Sequence, residues 1–184
     1  NDDLELYYSY ANSKIVVIAI DGLKLFIGYV QNPNNMNQII ECDLIEHILD
    51  IYFFKNHKVS KYAFNMFEII SSHGEIGSKT VYDNLTISSF FSYSYSIQIS
   101  ILKIIYNFTE YKIINDLLQV SKEAFEFVTI FLETDVDSTI LLSLKILSNL
   151  QSSLVDLFDM EIINILEQLT FHDNEQITTI SKSL

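Results

Sequence analysis

The residues Gly74-Glu75-Ile76-Gly77-Ser78-Lys79-Thr80 have the composition of a loop that wraps a phosphate. Such a loop needs glycine directly before its lysine, so that backbone amides enclose the anion while the ammonium reaches it. Here Ser78 intervenes and the first glycine is out of place, so the segment predicts a glycine turn between helices. The histidines His47, His57, His73 and His172 fall in or beside predicted turns and helix ends. No two of them stand four apart, and Cys42 with His47 is a spacing of five without a second pair. That pattern gives surface or capping histidines and no metal site. Asp156, Asp159 and Glu161 read as a solvated acidic helix face, and no Gly-x-Ser-x-Gly elbow occurs. The chain offers no acid–base pair and no activated nucleophile, so neither enzymatic chemistry nor a cofactor is expected.

What remains is a set of polar side chains suited to holding another chain. They are Asn65, Glu68 and Ser72, then Lys103, Tyr106 and Glu110, then Lys145 and Asn149, with Asp21 and Lys24 as earlier members. Each lies six, nine or thirteen residues after the first member of an apolar stripe. The stripes are Ile15, Ala19, Leu23 and Phe26; Val59, Ala63, Phe67 and Ile70; Ile97, Ile101, Ile105 and Phe108; and Val136, Ile140, Leu144 and Leu147. A fifth, Gln176, Ile180 and Leu184, is cut off after three positions. Steps of four and three keep residues on one helical face. Successive stripes begin 44, 38, 39 and 40 residues apart, a period of stacked helical repeats. The polar positions fall between the buried stripes, along what would be one groove.

The elements that position these stripes follow from the breaks between them. Asn12-Ser13-Lys14, Lys55-Asn56-His57-Lys58, Glu133-Thr134-Asp135 and His172-Asp173-Asn174-Glu175 are turn and N-cap residues, each directly before a stripe. Ahead of the stripes lie further apolar segments: Leu44–Phe54, Leu85–Tyr95, Ala124–Leu132 and Ile162–Phe171. Each unit therefore reads as helix, polar turn, helix. Tyr111–Gln119 and Ser153–Met160 leave room for a third short helix. Two segments look strand-like, the alternating Ser92–Ser100 and the β-branched Ile15–Ile18, but the repeat register runs through both and predicts helix. Gln31–Gln38, around Asn32-Pro33-Asn34-Asn35, should be the longest irregular stretch, and Ser71–Lys79 a second loop.

Composition narrows the setting. With 49% hydrophobic residues, one proline and four glycines, the 184-residue chain suits a helix-rich domain with a sizeable core. The net charge of −13 repels phosphate backbones, so a basic protein partner is expected and direct nucleic-acid binding is not. The lone Cys42 fits a reducing compartment, the cytoplasm or alternatively the nucleus. Ile15–Val30 is apolar but short, with Asp21 and Lys24 near its middle, so no membrane span is expected.

The segment Val136-Asp137-Ser138-Thr139-Ile140-Leu141-Leu142-Ser143-Leu144-Lys145-Ile146-Leu147-Ser148-Asn149-Leu150 resembles the third helix of the armadillo family, with its closing Leu-Ser-Asn-Leu. The chain is thus distantly similar to the importin-α and β-catenin solenoids. In importin-α proteins a Trp and an Asn four residues later hold a localisation peptide. Asn149 matches that Asn, but Lys145 stands at the Trp position and the chain has no Trp. The resemblance implies an all-α fold, a right-handed α-solenoid of armadillo/HEAT-like repeats. It would be a single domain over residues 1–184, with about four to five units and the last truncated. The function implied is a non-enzymatic scaffold that grips an extended, basic protein segment along its third helices, of undetermined oligomeric state. The alternative is a structural fragment of a longer helical array in a transport, coat or cytoskeletal complex.

Overall fold

A computed structural model describes residues 2–51, 54–85, 90–113, 122–154 and 158–184. Among the described residues there are eleven α-helices, three short 3-10 turns and no strand. The chain divides into two compact units, Asn1–Asn107 and Phe108–Leu184.

In the first unit α1 (Asp2–Ala11) and α2 (Val16–Val30) pack together, and α2 packs in turn on α5 (His57–Ser71). The short helices α3 (Met36–Glu41) and α4 (Leu44–Leu49) lie between α2 and α5 in sequence. α6 (Gly74–Asn84) packs on α5, and α7 (Tyr95–Glu110) follows. The core is the expected stripes: Ala19, Leu23 and Phe26 on α2, all four stripe residues on α5, and Ile97, Ile101 and Ile105 on α7 are buried. Fully burying a side chain of Val, Leu, Ile or Phe size contributes about 1.5–3 kcal/mol, so these faces dominate the stability of the unit. The β-branched and alternating segments are helical from Val16 and from Tyr95, as the repeat register requires.

The second unit contains α8 (Lys122–Thr129), a 3-10 turn (Ile130–Glu133), α9 (Asp137–Leu154), α10 (Met160–Leu169) and α11 (Glu175–Ser183). α11 packs on both α9 and α10. Phe127, Phe131, Ile140, Leu144 and Leu147 are buried together with Phe108, the last stripe residue of α7.

Short-range capping sets several of the helix starts. The Asn56 side chain accepts from the Lys58 amide, Asn174 from Gln176, and Asp159 from both Glu161 and Ile162. Each supplies one or two of the donors that the first helical turn leaves unmatched.

Five expectations need correction. Ile15 and Val136, the first stripe members, are 58% and 44% exposed, because each precedes the first helical residue and points away from the packed face. In the last helix the register is off by one: Gln176 is exposed, Ile180 and Leu184 are only partly covered, and Ile177 and Ser181 are the buried pair. Ser71–Lys79 is no loop. Only Ser72 and His73 separate α5 from α6, and Gly74, at φ +82°, makes the turn. Gln31–Gln38 is mostly ordered, as a 3-10 turn (Pro33–Asn35) running into α3, with Asn32 capping it and Asn35 bonded to the Tyr29 carbonyl.

α6 is a helix where none was expected, and of the described residues of Leu85–Tyr95, Leu85 is non-helical, Phe90–Ser92 is a 3-10 turn and Tyr95 opens α7. The other expectations fall partly outside the described residues: positions 52–53 of Leu44–Phe54, 86–89 of Leu85–Tyr95, 114–119 of Tyr111–Gln119, 155–157 of Ser153–Met160, and Asp156.

Candidate functional site

On α5, Lys61, Asn65 and Glu68 follow one another at steps of four and three, so they share a face, and Tyr62 borders it. That face meets Tyr95, Ser96, Ile99 and Lys103 of α7 across a cleft of about 580 Å³. Lys103 Nζ donates to Glu68 Oε1 at 2.8 Å, joining the two helices over the cleft. The pair is asymmetric: the Glu68 side chain is 20% exposed and that of Lys103 46%. Water reaches Lys103 more freely, so it is the more easily re-partnered member. Lys61 is exposed and has no acidic side chain within ion-pair distance among the described residues.

One helix further back, Lys24 and Asp21 of α2 pair at 3.0 Å. The Lys24 ammonium stands 5.8 Å from the centroid of the Tyr62 ring, within cation–π range. The hydrogen bond to Asp21, then its charge, raises the Lys24 pKa above the ordinary lysine value. The polar positions expected from α2 and α5 are thus linked through Tyr62, and those of α5 and α7 through Glu68 and Lys103.

Of the ten polar positions singled out from sequence, Asn65, Glu68 and Lys103 are brought together in this cleft. Ser72 is exposed at the end of α5, where its hydroxyl donates to the Ile69 carbonyl at 2.7 Å. Tyr106 is half-buried on α7 and Glu110 is exposed at its last position, and neither lines the cleft. In the second unit Lys145 borders a separate cavity of about 370 Å³ with Glu175, Gln176, Thr179 and Ile180. Asn149 does not share that cavity, and its amide donates to Thr109 Oγ1 at 3.2 Å.

Sequence reasoning missed Lys61, Tyr62, Tyr95 and Ser96. Lys61 could have been found by extending the polar row of α5 one turn backward. The tyrosines and Ser96 carry no such signal, because their place depends on how the helices meet.

Among the described residues no group of three or more His, Cys, Asp or Glu is placed to hold a metal. His47 lies against Tyr8, with ring centroids 5.3 Å apart. His172 Nδ1 accepts from the Asn174 amide at 3.0 Å, and its Nε2 is 3.7 Å from Asp137. Cys42 is half-buried, and burial pushes its thiol pKa up, away from the reactive thiolate. Among the described residues no helix is long and apolar enough to cross a membrane.

No protein-family model matches the chain, and no curated protein matches it. Eighteen chains of known structure do. An engineered protein solved by the Northeast Structural Genomics Consortium is 14% identical, with a TM-score of 0.69 over 98% of this chain and 96% of its own. A second engineered protein from that consortium is 13% identical, with a TM-score of 0.66 over 97% and 76%. A designed armadillo repeat protein is 12% identical, with a TM-score of 0.59 over 98% and 97%. The fold is an all-α, armadillo-like helical repeat. At these identities the likeness extends to the fold and leaves the occupant of the cleft to the residues that line it.

Proposed function

We propose that the chain is a non-enzymatic protein-interaction scaffold, with residues 1–184 as one repeat domain, that holds an extended segment of another protein in the cleft between α5 and α7. The observation that carries this reading is the cleft itself: paired and unpaired charges, two tyrosines and an amide on rigid helical faces. A segment there would stack on Tyr62 and Tyr95 and use the Asn65 side chain as donor and acceptor. The remaining positions, Ser72, Tyr106, Glu110, Lys145 and Asn149, lie outside this cleft and belong to the same proposal only as partner contacts within their own units. So does a partner that is basic overall, drawn by a net charge of −13, in a cytoplasmic or nuclear setting.

Titration of the isotope-labelled chain with pooled extended peptides tests the reading. Saturable shifts of α5 and α7 amides, lost in Tyr62→Ala and Tyr95→Ala, are expected. Saturation confined to other helices, or none, overturns it.

A second reading, docking through the end of a longer array, is favoured by exposed apolar residues in the second unit. Phe171 is 88% exposed and Met160 70%. Self-association abolished by Phe171→Ser, in sedimentation velocity, would support that reading, and a monomer at all concentrations would remove it.

A further inference from the structure

The cleft between α5 and α7 has the opposite charge balance to the chain as a whole. The chain carries 24 acidic and 11 basic side chains, yet the cleft is lined by two lysines, Lys61 and Lys103, and one acid, Glu68. Glu68 is already engaged by Lys103 at 2.8 Å, while Lys61 stands unpaired among the described residues. Ser96 and Ser100 add hydroxyl donors to the α7 side of the cleft. A basic side chain entering here would meet two ammonium groups, with one carboxylate already neutralised. An acidic side chain would meet an unpaired lysine and a second lysine whose present partner can be exchanged.

We propose that this cleft receives a carboxylate side chain, Asp or Glu, of the bound protein segment, and that Glu68 is an internal stand-in for it. On binding, the incoming carboxylate pairs with Lys61 and Lys103, and Glu68 yields Lys103. The inference rests on the scaffold reading above and specifies the chemistry of the segment at this position. It is compatible with a partner that is basic elsewhere, because steering acts on total charge over about a Debye length, whereas pairing acts at contact. The stand-in has a defined consequence. The ligand must displace an existing ion pair, so its affinity is lower than if Lys103 were free. It also keeps Lys103 paired when no ligand is present.

The sign of one substitution tests this. A display library of random 12-residue peptides is selected on the intact chain, and recovered peptides are measured by fluorescence anisotropy against wild type, Glu68→Gln, Lys61→Gln and Lys103→Gln. Recovered peptides should be enriched in Asp or Glu at one position. Glu68→Gln should tighten them and each lysine variant weaken them, by about two- to fivefold, the range an exposed ion pair supplies. Circular dichroism of the variants checks that the fold is kept. Peptides that are lysine- or arginine-rich at that position and weakened by Glu68→Gln overturn the inference but leave the scaffold reading standing. So do peptides that bind the cleft, as judged by Tyr62→Ala and Tyr95→Ala, without responding to the charge variants. Recovery of no peptide that depends on any cleft residue overturns both.

Discussion

The amide of Asn107, on α7, donates to the hydroxyl of Ser71, the last residue of α5, at 2.8 Å, and that hydroxyl in turn donates to the Glu68 carbonyl at 2.9 Å. Ser71 is fully buried and stands twelve residues after Val59, the start of its stripe. Thr109, twelve residues after Ile97, is likewise buried and accepts from the Asn149 amide at 3.2 Å. In each unit, then, a hydroxyl near the end of one stripe helix is bonded by an asparagine of a later one. The bond satisfies a buried polar atom and fixes how far one helix can slide along the next, which apolar packing alone specifies loosely.

A double-mutant cycle on this pair should show coupling. Ser71→Ala and Asn107→Ala together should cost less than their separate effects added, with an interaction energy of about 0.5–1.5 kcal/mol in urea denaturation. Strict additivity would mean the bond contributes nothing to stability.

The glycines divide by what surrounds them. A Cβ at Gly77 would lie 2.1 Å from the Ile70 carbonyl oxygen, and one at Gly22 would lie 2.2 Å from the Ala11 nitrogen, while Gly28 has open space. Gly77→Ala and Gly22→Ala should therefore destabilise by about 1–3 kcal/mol, because backbone has to move. Gly28→Ala, on the exposed side of α2, should stabilise by about 0.4–1 kcal/mol through the unfolded chain. Thermal melts of the three variants decide this, and equal shifts would contradict the close approach of α5 to α6.

Two neighbours on α9 should respond in opposite directions. Among the described residues the buried Ser143 hydroxyl has no hydrogen-bond partner, a state that costs about 1–3 kcal/mol. Ser143→Ala should raise the melting temperature. Leu144→Asp, at a fully buried position, should cost several kcal/mol, whereas Val136→Asp, 44% exposed, should change little. Similar losses for Leu144→Asp and Val136→Asp would undo the stripe assignment in α9.

Alkaline pH should weaken the fold. Burial raises the pKa of the Cys42 thiol and of the Tyr29 and Tyr93 phenols. For groups raised in the folded state, the unfolded chain loses its protons first. Stability is thus complete below the ordinary values and declines as pH climbs past about 9 for the thiol and 10 for the phenols. Urea midpoints measured from pH 8 to 11 should fall steadily, and Cys42→Ser should remove the earliest part of the decline. A midpoint constant across that range would contradict the partial burial of these groups, Cys42 and Tyr93 above all.

Much of the fold was legible because stripe spacing is a property of single helices. Second to fourth members such as Ala63, Phe67 and Ile70 are buried as read. The reading failed where two phases were nearly equal. In α11 the polar Ser181 takes a buried position, so Ile177 had no apolar partner four residues on to mark its face. It failed again at Gly74 and Gly77, which look alike in sequence but serve a left-handed turn and a tight helix contact respectively. For the cleft, the polar row of α5 was visible, but not that Glu68 meets Lys103, since a pair separated by 35 residues depends on helix docking.

The caps at Asn56, Asp159 and Asn174 reach amides only two or three residues away. Each helix start is therefore written inside the segment it begins and needs no information from neighbouring units. A duplicated or transplanted unit that keeps its asparagine or aspartate carries its own starting point with it. Lengthening or shortening the connection before the cap leaves that point unchanged. Each new junction in such a chain would then need a matching apolar face and a hydroxyl–asparagine pair like Ser71 with Asn107, but no new instruction for where the helix begins.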